Sequence, residues 1–358
     1  MKYLRKDSRS PMKRFLVFVG KFGLVLAETV LLLAIALYGV MFVLAKGPSP
    51  TARDLFVRSV RETSAVGFLA NLYFSDEEIA SIEASGEVEE YVQTDTSLIT
   101  ISADTVDDSA HGPVPDAWGL IDEDEDGIIL EEVKGEGYSG FMMVVPDPSR
   151  VIMGCIPKSF GARGYTVEEM VGEFGALAGI NAGGFYDPNG AGNGSIPDTM
   201  TVYEGEIYYG GYGARNGFVG IDADHILHVG KLTEQEVRER NIQYGVGFGP
   251  VLISNGEIAL AENNIGGLNP RTAIGQRSDG AILLLVIDGR QASSIGATYM
   301  DLCDIFLEYG AVNACNLDGG SSTLMWYDGG YVNNCASVVG IRPVPTTFLV
   351  MPEVSDNG

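Results

Sequence analysis

The sequence predicts an α+β protein: a mixed, mostly hairpin-built β-sheet with a few flanking helices, preceded by one transmembrane helix. Three observations carry this. Short apolar runs alternate with Gly-, Asn- and Asp-bearing turns through most of residues 127–352, as in VLISNGEIAL and TAIGQRSDGAILLLVIDG. Helix-capping signatures interrupt those runs at only a few places, notably Thr166 with Glu169, Thr233 with Glu236, and Thr298 with Asp301. A single long apolar stretch stands apart near the N-terminus.

The elements follow in order. Residues 1–14 form a basic tail, with Lys2, Arg5, Lys6, Arg9, Lys13 and Arg14 against Asp7. Residues 15–45 are long enough to cross a bilayer, which takes about 20 apolar residues. Glu28 is the oddity there, because an acid at depth costs roughly 2.5–3.5 kcal/mol on insertion scales. The basic flank places the N-terminus inside and the remainder outside, as a single-pass signal anchor of the cell membrane. A cleaved signal peptide is the alternative, although no clear A-x-A site precedes Lys46. Residues 46–84 read as a helical stalk and residues 85–126 as an acidic, solvated linker. Within the linker, DEDEDG is similar to the start of a calcium loop. The twelfth position, where an EF-hand needs its bidentate Glu, is Val133, so a plain acidic tract is the simpler reading.

The folded body is expected at residues 127–352. IILEEV, GFMMVV and RVIMGC are strands, with PDPS as the turn between the last two. A helix over residues 167–174 leads into a strand and the loop NAGGFYDPNGAGNG. Hairpins follow with turns at Glu204-Gly205, Ala223-Asp224, Asn255-Gly256 and Asp279-Gly280. A helix over residues 297–309 feeds a strand at 312–317. A last hairpin, LMWYDGGYVNN, and a strand at 346–351 close the body.

Composition narrows the function. The net charge of −25 argues against nucleic acid and against electrostatic docking on anionic lipid. A local arginine cluster can still hold an anionic substrate. Cys155, Cys303, Cys315 and Cys335 are widely spaced with no CxxC pair, so disulfides and buried free thiols both remain open. With only His111, His225 and His228 available, no metal site and no cofactor are expected. No Walker loop or Gly-x-Ser-x-Gly elbow is present, and neither His225 nor His228 lies in a glycine motif, which argues against a Ser-His-Asp hydrolase.

The chemistry concentrates in NACNLDGGSSTLM, residues 313–325. There Asp318 ends an apolar run next to backbone that can approach a ligand closely. Asp288 closes a second apolar run, ahead of Arg290 and the Ser293-Ser294 pair, and Asp187 is a third candidate. Two carboxylates in one site are the minimum kit for glycoside cleavage. Arg271, Arg290 and Arg342 offer guanidinium forks suited to phosphate or carboxylate, or alternatively structural partners for nearby acids. Gly183, Gly184, Gly319 and Gly320 let backbone amides reach an anion. Asn181 follows an apolar run without being needed for a turn, and Asn313 and Asn316 flank Asp318.

Four segments, GINAGGFYDPNGAGNG, NPRTAIG, LLVIDGRQASSIGAT and NACNLDGGSSTLMW, resemble the phosphodiester glycosidase family in content and order. The basic start, single apolar segment and DPSRV stretch are similar to membrane-anchored bacterial members described as exopolysaccharide-related. The resemblance implies hydrolysis of a sugar-1-phosphodiester, GlcNAc-like, at its glycosidic bond, releasing free sugar and a phosphomonoester. It implies Asp318, Asp288 and Asn181 in catalysis, and Arg271, Arg290, Gly183, Gly184, Gly319, Gly320 and Ser321 in binding the substrate phosphate. The partners expected are a glycan or sugar phosphate and, through the N-terminal helix, a membrane. Two departures from the family pattern stand out: Ile196-Pro197-Asp198-Thr199-Met200 replaces a Pro-x-Gly step, and Ser321 stands where a third glycine is common. A non-catalytic phosphoglycan-binding module and a phosphodiesterase on the same fold are the rival readings. If the motifs form one site, Asp318 must lie near Arg271 or Arg290 in space.

Overall fold

The computed structural model describes residues 10–63, 66–84, 93–101, 115–187, 192–209, 217–261, 264–337 and 340–353. The chain forms two compact units, Met1–Phe56 and Val57–Gly358. In the first, one helix runs over Pro11–Lys46, with the Ser10 hydroxyl capping it on the Lys13 amide. By length and composition it can cross a membrane.

The second unit is built of antiparallel strands. The expected mixed sheet resolves into three sheets, and every pairing among the described strands is antiparallel. Part of the reason is local: six of the fourteen described pairings join strands connected by a tight turn, which can only reverse the chain. The Asn255-Gly256 turn has both residues at positive φ, 55° and 81°, as a type I′ hairpin requires.

The seven-stranded sheet runs in the order Ile129–Gly135, Tyr138–Val145, Ile282–Ile287, Arg271–Arg277, Ala311–Asn316, Val251–Ser254, Glu257–Ile258. Its middle strands are apolar without alternation because both faces are covered. Ile282, Leu284 and Val286 join the core shared with the other sheets, whereas Leu283, Leu285 and Ile287 join a second core on the opposite face. The helix Tyr299–Glu308 covers that second face with Leu302, Cys303, Ile305 and Phe306. Phe306 lies so close to the sheet that a Cβ on Gly275 would stand 2.8 Å from its ring, so only glycine fits there. Capping boxes at Thr166, Thr233 and Thr298 are all formed.

The second sheet orders Gly330–Tyr331, Met325–Tyr327, Ala178–Asn181, Thr346–Val350, Val151–Cys155. Val151–Cys155 therefore leaves the sheet that holds Tyr138–Val145, and the PDPS turn is a crossing between sheets, not a hairpin. The third sheet orders Glu206–Tyr209, Thr201–Tyr203, Ile242–Val246, Phe218–Asp222, Leu227–Gly230. Its central strand, IQYGV, was not anticipated, because Gly245 and two polar residues obscure the alternation.

The boundary expected at residue 127 moves to Val57. The Ser59 hydroxyl accepts the Leu268 amide at 2.9 Å, and the Thr100 amide donates to the Ser278 carbonyl at 2.8 Å. Asp116 pairs with the buried Arg277 at 2.7 Å while Trp118 stacks on its guanidinium at 3.9 Å. The described parts of the stalk and acidic tract thus supply partners to the body instead of standing free. A buried guanidinium needs such a partner, since desolvation costs several kcal/mol. Residues 85–92 and 102–114 of the expected linker, and His111, lie outside the described residues. All four cysteines are free thiols, three of them buried; burial pushes Cys155 and Cys303 up to about 12.

Because the Thr298 cap orients the helix that carries Tyr299, Thr298→Ala is expected to lower stability by about 1 kcal/mol, read from a chemical denaturation midpoint.

Candidate active site

A cavity of about 830 Å³ opens in the Val57–Gly358 unit. Strand ends from the first two sheets converge on it. The strand Ala311–Asn316 delivers Asn316, Leu317 and Asp318, and the strand Ala178–Asn181 runs on to Gly184, Phe185 and Asp187. Arg271 arrives from the neighbouring strand, and Arg290 from the turn beyond Ile282–Ile287.

The turn at Asp318 is tightly held. Its amide donates to the Ala182 carbonyl at 2.9 Å, and the Gly320 amide to the Pro270 carbonyl at 2.9 Å. A Cβ on Gly319 would stand 2.8 Å from that carbonyl, and Gly320 has φ +61°. Both positions therefore require glycine. Two arginines bracket the turn. Arg290 Nη2 stands 3.3 Å from where a Gly320 Cβ would be, and Arg342 Nη1 donates to the Ser321 hydroxyl at 3.2 Å. The spatial expectation is thus met: Asp318, Arg271 and Arg290 line one cavity.

The Asp318 carboxyl is pushed up to about 7. Desolvation is the main cause, opposed by a Ser322 hydrogen bond. The negative charges of Asp198 and Asp187 raise it further, while Arg342 opposes. A carboxyl with this proton affinity can donate a proton near neutral pH. Arg342 is itself engaged by Asp187 at 2.7 Å and stacks over Phe185 at 5.0 Å. Arg290 stays exposed; desolvation of its guanidinium and the like charge of Arg271 lower its proton affinity. Its backbone has φ +59°, unusual for a branched-free long side chain and consistent with a position held by its surroundings.

Three residues implied by the family resemblance do not line the cavity. Asp288 is buried and saturated: Asn333 Nδ2, the Asn334 amide and Asn334 Nδ2 reach its carboxylate at 3.1, 2.9 and 2.8 Å. It anchors the loop after the last hairpin and lies outside the cavity lining. Asn181 is also buried, donating to the Asp318 carbonyl at 2.5 Å and accepting from the Thr272 hydroxyl and the Leu324 amide at 2.8 and 3.1 Å. It positions the Asp318 turn from behind the cavity wall. Gly183 donates its amide to the Thr346 hydroxyl at 3.0 Å, and a Cβ there would press on Val246; its role is packing. Gly184, Gly319, Gly320 and Ser321 all line the cavity.

Other lining residues went unassigned. Asp198, from the IPDTM departure, lies so near Gly184 that a Cβ there would stand 2.9 Å from its carboxylate. The signal for it was the departure itself. Asn316 lines the wall with Nδ2 on the Gly249 carbonyl at 2.9 Å and Oδ1 without a protein partner. Glu62 and Thr63 enter from outside the four motifs and gave no sequence signal. His228 pairs with buried Asp222 at 2.7 Å, and neither it nor His225 lines the cavity. Asp122, Asp124 and Asp126 bring carboxylate oxygens within 4.8 Å of one another, but away from the cavity lining. Backbone amides of Glu125, Gly127 and Ile128 and the Tyr327 hydroxyl bond the oxygens of Asp122 and Asp126.

Comparison with known proteins agrees with this geometry. Residues 174–351 match the phosphodiester glycosidase family, and the chain belongs to that family through this domain. The chain is 40% identical over 85 residues to the uncharacterized SPbeta prophage-derived protein YomE of Bacillus subtilis (strain 168), covering 24% of this chain and 13% of that one. It is 26% identical over 225 residues to the N-acetylglucosamine-1-phosphodiester alpha-N-acetylglucosaminidase of Mus musculus, covering 56% of this chain and 42% of the enzyme. The chain thus spans less than half the length of either relative. The catalytic domain of the zebrafish N-acetylglucosamine-1-phosphodiester alpha-N-acetylglucosaminidase, solved in a form auto-inhibited by its pro-peptide, shares the fold. Its TM-score is 0.55 at 18% identity, over 74% of this chain and 89% of that one.

Two outcomes follow from the geometry. Asp288→Ala removes three hydrogen bonds to a buried carboxylate and is expected to cost on the order of 3 kcal/mol, measured by denaturant unfolding. For Asp318, a raised folded-state pKa means the native state holds a proton that the unfolded chain releases, so its burial costs stability as pH climbs from about 4 through about 7. Asp318→Asn is therefore expected to match wild type below pH ~4 and to exceed it by on the order of 2 kcal/mol above pH ~8, in paired unfolding curves.

Proposed function

We propose that the chain is a membrane-anchored glycosidase that hydrolyses a sugar-1-phosphodiester, GlcNAc-like, in cell-envelope or exopolysaccharide glycans, giving free sugar and a phosphomonoester. The observation that carries the reading is the proton-holding Asp318 in a cavity with Arg290, Arg342 and the Gly319-Gly320 turn. The family supplies the reaction class; the mouse relative's name supplies the GlcNAc-1-phosphodiester.

Cleavage of a glycosidic bond needs a proton on the leaving oxygen and stabilisation of the positive anomeric centre. In this reading Asp318, protonated below about pH 7, protonates the bridging oxygen or withdraws charge from it. A phosphate leaving group demands less of that proton than an alkoxide does. Asp198 is the second carboxylate, in the place vacated by Asp288, and stabilises the oxocarbenium or activates water. Arg271, Arg290, Arg342 and the Ser321 hydroxyl hold the phosphoryl oxygens. Asn316 offers its unpaired carbonyl oxygen to a sugar donor.

The basic residues before the helix Pro11–Lys46 support an N-terminus inside and a catalytic unit outside the cytoplasm.

The full chain in detergent, given a GlcNAc-1-phosphodiester, is expected to release free GlcNAc. Asp318→Asn is expected to reduce the rate by at least about 100-fold with KM little changed. The wild-type rate should fall as pH rises through about 7, as the acid loses its proton. Release of GlcNAc-1-phosphate instead would assign the phosphodiesterase reading, and binding without any product the non-catalytic one.

A further inference from the structure

The Glu62 carboxylate sits among donors from one short segment. Arg271 Nη2 and Asn269 Nδ2 reach Oε2 at 2.8 and 2.9 Å, and the Gly267 amide reaches Oε1 at 3.1 Å. Arg290 Nη2 stands alongside, donating to the Thr63 hydroxyl at 2.7 Å and to Asn269 Oδ1 at 3.0 Å. A guanidinium, a side-chain amide and a backbone N–H converging on two oxygens make an anion seat. The donors all come from residues 267–271, inside the family-matched region, whereas the anion comes from outside it, at the end of the helix Pro50–Arg61. The Arg271 side chain is 5% exposed and that of Glu62 26%. The donors are built into the fold; the acceptor rests on them from the cavity rim.

We infer that residues 267–271 form a seat for the phosphoryl group of the substrate, and that Glu62 is its resident competitor. The physical case is charge conservation. Arg271 is buried, and desolvation works against its charge; Glu62 and Tyr299 together more than offset this. A buried guanidinium cannot be left unpaired without a cost of several kcal/mol, so the carboxylate leaves only when another anion takes its place. Exchange of carboxylate for phosphoryl oxygens keeps the seat neutralised throughout. Entry of the ligand then lifts the segment around Arg58–Thr63 off the cavity. The inference rests on reading the cavity as a sugar-phosphodiester site, but competition at the seat is measurable without turnover.

The test titrates inorganic phosphate into the full chain in detergent micelles, by calorimetry and by hydrogen exchange. Glu62→Gln removes the competing charge and keeps the shape. It is expected to bind phosphate about tenfold more tightly than wild type. In wild type, saturating phosphate is expected to speed amide exchange across residues 58–63. If phosphate binds Glu62→Gln equally or more weakly, binds wild type without exposing residues 58–63, or binds neither, Glu62 is a fixed wall and the inference is overturned. Should Glu62→Gln fail to fold, Thr63→Ala with the wild-type exchange measurement decides: tighter phosphate and faster exchange support the seat, and their absence overturns it. Phosphate displacing residues 58–63 in a chain that releases no sugar from any diester would retain the seat and discard the glycosidase reading. Sugar release with no phosphate competition would do the reverse.

Discussion

A fully buried guanidinium is the constraint around which this site is arranged. Arg271 begins a strand that is buried along its whole length, and with its side chain 5% exposed at the cavity wall its charge is almost wholly desolvated. Its Nε donates to the Ala297 carbonyl at 3.1 Å, Tyr299 stacks under it at 4.2 Å, and Glu62 supplies the opposite charge. These partners come from the loop before one helix, the first turn of that helix, and a segment some two hundred residues earlier. Satisfying one charge thereby ties three distant parts of the chain to the cavity wall. Breaking such a pair on one side is far costlier than the pair is worth, which makes the arrangement stiff until another anion is offered.

The opposite wall is held by a different device. Asn181, with no exposure, clamps the Asp318 carbonyl, the Thr272 hydroxyl and the Leu324 amide at once. It joins the first two sheets at the strand ends where the carboxylate emerges. Asp288 does similar work for the loop at Asn333 and Asn334. Polar residues in glycine motifs thus divide into two kinds. Some keep open hydrogen-bonding capacity toward the cavity; others spend all of it inside the protein. Hydrogen-bond saturation separates Asp318 from Asp288, and nothing in their sequence context does.

Much of the fold was legible because hairpins and caps are local. Asn255-Gly256 demands positive φ at both positions, and Thr-x-x-Glu or Thr-x-x-Asp closes a helix start on itself. These features form from residues within four positions of each other. The strand Ile242–Val246 escaped because its pairing partners, not its own pattern, make it a strand. The acidic tract was misjudged for a related reason. Asp116 reads as one of many solvated acids until Arg277, far along the chain, is seen to need it.

The sequence by itself determined the α+β class, the hairpin boundaries, the apolar N-terminal helix and the family. Each depends on short-range backbone preference, on length, or on residues that stand together in one motif. Tertiary structure alone decided which carboxylates line the cavity, that Asp198 joins Asp318 there while Asp288 does not, and that Glu62 rests on Arg271. Those facts depend on desolvation and on which donors arrive from other strands. A side chain's proton affinity and freedom are set by its spatial neighbours, and a linear sequence does not state who they are.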